Sequence, residues 1–370
     1  MRRAEAVMRA WAVAVALLCL WAMSDGAKAE RLSHYAMTQH AIDDYIVPSL
    51  GAFETASQKL AAATDQFCAA PDAGKRTALV AGFGEALSAW AQVEVIRTGP
   101  ATREGRAQRI AFWPDPRGAV ERQLRQALAQ HQPEVAAEET LRAQSAALQG
   151  FPALELLIAD GSVDIGGTDE EGRYRCRVAT AIAHNIATLA HEIGDGWMRS
   201  GGWRDHMLRP GSDNVDYPSA EIAATDIFKS LTTSLQAILE AQLRPLAEDK
   251  KDQKPKVGSR PYKRLGFASD YLVSGIRGCH GLYRAAQLAA YLKATDPEQK
   301  RFAELVETAF TQAESGLTAK GASGAARSED EIVQAARVAS SMLGGARRII
   351  ATKIADAAEI VLGFNELDGD

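Results

Sequence analysis

Apolar residues in this chain recur three and four apart almost from end to end, and that spacing leaves few folds open to it. Val80, Phe83, Ala86, Leu87 and Trp90 fall on one helical stripe. β-branched runs with strict alternation are scarce, alanine is abundant, and aromatic residues make up only 6% of the 370 residues. The chain reads as all-α. Helices are expected at 33–66 with Pro48 as a kink, at about 73–97 stopping at Gly99-Pro100, and at 118–130, 133–148 and 171–200. Others follow at 217–245, 262–294, 296–316 and 328–364. The hydrophilic stretch from Glu248 to Arg260 carries Lys250, Lys251, Lys254, Lys256 and Pro255, and reads as a solvated loop. A Gly/Ala/Ser stretch near 316–327 reads as a flexible connection.

The first residues point to export. Arg2, Arg3 and Arg9 precede an apolar core from Trp11 to Met23, followed by Ala27-Lys28-Ala29. That is the layout of a signal peptide, residues 1–29, with cleavage before Glu30. The apolar run is shorter than the roughly 20 residues a membrane span needs. Cys19 suggests a lipidation site, but Leu17-Leu18 stand where such a site wants a small residue. Residues 1–29 hold four basic and two acidic side chains, a net +2, so cleavage takes the formal charge from −5 to −7. A mildly acidic chain lacks the basic face that nucleic-acid binding requires, and no later segment is apolar enough to span a membrane.

The most informative short segment is Gly150-Phe151-Pro152-Ala153-Leu154-Glu155. Other segments join it in order. His40 to Leu50 contains Tyr45 and Pro48; Trp90-Ala91-Gln92 runs on to Arg97-Thr98-Gly99-Pro100. Phe112-Trp113-Pro114-Asp115-Pro116-Arg117 comes next, and the chain closes on Gly363-Phe364-Asn365-Glu366-Leu367-Asp368-Gly369-Asp370. Together these resemble the imelysin family, also described as insulin-cleaving membrane proteases and iron-regulated periplasmic proteins. The resemblance covers nearly the whole mature chain. It implies two helical bundles packed side by side: residues 30–165, carrying the Gly-x-Pro-x-x-Glu motif, and residues 166–370. The family signature is Gly-x-His-x-x-Glu, whose His and Glu share one helix face. Here Pro152 takes the His position, a departure similar to the family's periplasmic branch. Proline cannot ligate a metal or relay a proton, so peptidase chemistry loses half of its pair.

Glu155 is read either as a capped or salt-bridged residue at a helix start, which Pro152 suits, or as part of a cleft with Trp113, Asp115, Arg117 and Arg97. In the second reading Trp113 floors a pocket, the two arginines hold a carboxylate, and Pro114 and Pro116 stiffen the loop bearing Asp115. The resemblance also implies a Cys68–Cys176 bridge in an oxidising compartment, with Cys279 packed in a helix face; three buried thiols are the alternative.

Metal-ligand patterns are weak. His184, His191 and Glu192 lack the second histidine of a His-Glu-x-x-His site. His34 and His40 read as solvated, and His280 as a buried, hydrogen-bonded side chain. Asp368 and Asp370 form an acidic tail whose oxygens suit a hard cation. The cofactor is therefore unknown: a metal ion is open, with no ligand motif to hold it. The chain reads as a non-proteolytic binding protein connected with iron acquisition, its partner a small ligand, an ion or an envelope protein. A metallopeptidase using Glu155 and a structural module of the envelope are the alternatives.

Overall fold

Prolines and side-chain caps cut the helical pattern into separate rods. In the computed structural model, residues 32–159, 165–248, 261–318 and 328–363 are described, and every regular element among them is helical. The stretch expected to be a signal peptide, the linker lysines and the Phe364–Asp370 tail with Asp368 and Asp370 lie outside those residues.

Helix α1, His34–Ala41, passes through a π-helical turn, Ile42–Ile46, into α2, Val47–Ala69. Pro48 has no N–H to return to the preceding turn, and the wider turn sits directly before it. Asp72 caps α3, Ala73–Val93, by accepting the Lys75 N–H. The helix ends at Val93 and not at Gly99-Pro100. Residues 94–98 leave the axis before a 3-10 turn at Gly99–Thr102. Gly99 has φ +76°, and a Cβ there would lie 2.8 Å from the Trp203 ring, so the exit from the loop needs glycine.

Helices α4, Arg106–Ile110, and α5, Ala119–Ala129, flank the Trp-Pro-Asp segment. The single helix expected at 133–148 is broken into three short turns. Thr140 Oγ1 donates to the Glu134 carbonyl, and Gln149 Nε2 donates to the Gln144 carbonyl. These side chains offer the backbone an alternative to the helical ladder.

The motif forms α6, Phe151–Ala159, and the long α7 spans Glu170–Met198 behind its Asp169 cap. Helix α8, Ala220–Ala237, starts at its Ser219 cap and runs into a second π turn, Ile238–Leu243. The helix expected from 262 begins only at Ala268, as α9 to Ala285, because residues 262–266 form a turn with Tyr262 at φ 60° and Gly266 at φ +85°. Helices α10, Pro297–Thr318, and α11, Glu329–Ile349, complete the set. A third π turn, Ile350–Ile354, follows α11.

The main packing runs α2 against α3 and α7, α3 against α9, α9 against α10, and α10 against α11. A disulfide joins Cys68 on α2 to Cys176 on α7, with Cα atoms 5.6 Å apart. The free Cys279 is buried. Phe83 on α3 is an aromatic hub, its ring 5.6 Å from Phe151, 6.3 Å from Tyr262 and 5.9 Å from Phe267. It thereby ties the motif helix to the 262–267 turn. No helix among the described residues is long and apolar enough to cross a membrane.

Candidate functional site

Gly150 is required by the backbone it crosses. A Cβ there would sit 2.0 Å from the Ile110 carbonyl oxygen, so only glycine lets α6 start against the end of α4. Pro152 occupies the first turn of α6, where its missing N–H costs nothing. One turn on, the Glu155 side chain is buried. Its Oε1 accepts two backbone N–H groups, from Arg264 at 2.8 Å and Leu265 at 3.1 Å. Burial raises its pKa, and those two N–H groups oppose the rise. Glu155 is thus a clamp on the turn leading into α9. The Arg264 guanidinium turns away to Glu121, at 2.9 Å.

The other expected site residues divide. Asp115 caps α5: its two carboxylate oxygens accept the Ala119 and Val120 N–H groups at 2.8 and 2.9 Å. Arg117 is exposed, and its carbonyl accepts from Arg122. Trp113, joined to Pro114 by a cis peptide bond, and Arg97 line one cavity of about 480 Å³. Glu155, Asp115 and Arg117 do not line it.

That cavity lies where the 94–98 exit from α3, the Trp113-Pro114 segment, the π turn at Ile238–Leu243 and α9 meet. Arg97 is exposed to it. Its Nε donates to Ser234 Oγ at 2.9 Å, and its backbone N–H donates to Ser230 Oγ at 3.1 Å. Glu94 is half-buried in the same wall and accepts the Tyr271 hydroxyl at 2.5 Å. Protein atoms crowd the Glu94 carboxyl, and this burial raises its pKa against the opposing pull of the Tyr271 hydroxyl and the Arg97 charge. Cys279 lines the inner wall, its thiol pushed up to about 12 by burial, so it is neither a nucleophile nor a ready metal ligand.

The clamp and the cavity are neighbours. Tyr262, from the turn held by Glu155, packs edge-on against Tyr271 with ring centroids 4.9 Å apart. Both Glu94 and Glu155 help push the Tyr262 hydroxyl well above its ordinary range, after burial itself. Sequence reasoning missed Glu94, Tyr271 and Tyr262. Glu94 had a signal: an acid inside the apolar run Val93-Glu94-Val95-Ile96, three residues before Arg97.

Metal chemistry has little purchase on the described residues, where no three His, Cys, Asp or Glu side chains converge as a ligand set. His184 pairs with Asp65 and His191 with Glu54, each at 2.9 Å. Glu192 pairs with Arg106 and Arg142. His280, buried, lies between Glu314 and Glu307 at 2.8 and 3.0 Å.

The imelysin profile matches residues 46–341. The chain belongs to the imelysin family. Two solved structures share the fold. An imelysin-like protein from Psychrobacter arcticum 273-4 superposes with a TM-score of 0.68 at 18% identity, covering 90% of this chain and 97% of the other. A Parabacteroides distasonis ATCC 8503 protein designated an iron-regulated protein A precursor gives 0.63 at 13% identity, covering 88% and 96%. Iron-regulated protein A of Synechococcus elongatus is 23% identical over 208 residues, 55% of this chain and 53% of that protein. The imelysin chain therefore spans about half the length of that relative.

Proposed function

We propose that this imelysin is an exported, non-proteolytic binding protein that holds a small molecule in the cavity at Arg97 and Trp113. The observation carrying the proposal is the contrast within the motif neighbourhood. Glu155 has its Oε1 committed to two backbone N–H groups, whereas Arg97 presents its guanidinium to an open volume. A cavity of about 480 Å³ whose walls combine alanines and two tryptophans with several polar side chains suits a small organic ligand that carries a polar group. Its lining comes from residues 90–114 and 234–279, which supports a cleft between an N-terminal bundle (30–165) and a C-terminal bundle (166–370). The iron-regulated designations of two relatives support a role connected with iron acquisition. The disulfide and the signal-like N-terminus support a periplasmic location.

The test is purification of the mature protein from its own periplasm, followed by native mass spectrometry, metal analysis and incubation with insulin chains. A co-purifying small molecule that is absent from a Trp113→Ala preparation is the expected result. Metal-dependent insulin cleavage that disappears in Glu155→Gln would instead establish the metallopeptidase reading and overturn this one.

A further inference from the structure

We infer that the cavity selects a small organic anion, a carboxylate carried on an apolar body, with Arg97 as its anchor. The inference rests on the proposed use of the cavity as a binding site and adds the class of ligand.

Arg97 is held but not neutralised. Ser230 accepts the backbone N–H and Ser234 accepts Nε, so α8 holds the residue at two points, and one hydroxyl, Ser234, anchors the guanidinium itself. Among the described residues its two Nη groups have no hydrogen bond, and no carboxylate lies within ion-pair distance. A guanidinium with its fork open is the geometry that grips a carboxylate through two parallel hydrogen bonds. The acid most able to cancel its charge is Glu94, three residues earlier. That carboxyl is engaged by the Tyr271 hydroxyl, and burial favours its neutral form. Glu240, the other acid on the lining, pairs with Arg244 at 3.4 Å.

The walls decide the rest of the ligand. Six alanines, a glycine and two tryptophan rings face the space, which is far larger than an inorganic anion needs. Bare phosphate or sulfate would leave those walls unfilled and would find one arginine where a dianion wants several donors. Trp90 lines the same volume and is buried. A cationic ligand would meet Arg97 first.

The test titrates the mature protein with phenylacetate and hexanoate, and with the amide and the amine of each body, following tryptophan fluorescence and heat. Each carboxylate is expected to bind about tenfold or more tighter than its amide, the range for a charge-assisted pair. That preference should collapse to less than about threefold in Arg97→Gln. Arg97→Lys should keep part of it, and its unchanged thermal midpoint guards against misfolding. Equal binding of acid and amide, or tightest binding of the amine, overturns the anion preference while leaving the cavity a binding site. If none of the six probes binds, the use of the cavity as a binding site falls and the inference falls with it.

Discussion

Two carboxylates, Glu155 buried and Glu94 half-buried, stand on either side of the Tyr262–Tyr271 pair, and they are held in different ways. Glu155 gives one oxygen to two backbone N–H groups and fixes a turn. Glu94 takes a single hydroxyl, beside a cavity and an arginine whose fork is open. Both are raised in pKa by burial. Backbone N–H groups cannot leave, so the first arrangement serves stability. A hydroxyl and a guanidinium can be shared with a visitor, so the second has the chemistry that the proposed recognition role needs. The Gly-x-Pro-x-x-Glu motif marks the stabilising carboxylate, and Glu94, next to the open chemistry, lies outside that motif.

The largest expected loss does not distinguish the two. Replacing Cys68 and Cys176 by serine opens a link across a sequence separation of 108 and should cost up to about 4–5 kcal/mol on the chain-entropy view. Urea unfolding measures it, and ligand affinity well below the new midpoint should be unchanged. Glu155→Ala comes next. It strands the Arg264 and Leu265 N–H groups and should cost on the order of 2–4 kcal/mol, whereas Glu155→Gln keeps an acceptor and should cost less than about 1 kcal/mol. Equal losses in the two variants would mean that charge, not hydrogen bonding, holds the turn.

Trp113→Ala should reverse the pattern. The ring is only half-buried, so the midpoint should move little while probe binding in the cavity weakens by about tenfold or more. A large loss of stability with intact binding would make Trp113 a buttress and erase the comparison.

The smallest effect is on pH dependence. The folded-state pKa of Glu94 lies above its unfolded value of about 4.3. Its contribution is therefore fully present below that value and is lost as pH rises through the raised folded pKa. Glu94→Gln should remove that part of the decline, so the variant gains on the parent between acidic and neutral pH in paired melting curves. A variant that tracks the parent at every pH would show that Glu94 is not destabilised by its surroundings.

The helical class was legible because apolar spacing is a local property: α3, α7 and α10 follow the spacing of residues such as Phe83 and Trp90. The early end of α3 at Val93 was not, because residues 94–98 are held by distant partners, the Glu94 carboxyl by Tyr271 and the Arg97 N–H by Ser230. The broken segment after Pro133 was hidden in the side chains of Thr140 and Gln149, which bond to backbone that the pattern assigns to a helix. Of the expected site residues, Arg97 and Trp113 share the cavity, but nothing local distinguishes an Asp115 that caps a helix from one that binds a ligand. Gly99 and Gly150 answer to Trp203 and to the Ile110 carbonyl, neighbours that only the fold supplies.

The turn at Ile238–Leu243 is one residue richer than an α-helix of the same rise. An added residue is a small edit: it changes the phase of everything after it by about 100° and leaves the axis in place. Glu240, Ala241 and Gln242 line the cavity from this stretch, so its wider winding sets which side chains this wall presents. Deleting one residue there would restore ordinary helical winding and swing those side chains to another face, with α8 before it undisturbed. A change of length in this turn would thus redraw one wall of the cavity without altering Arg97 or the serines that hold it.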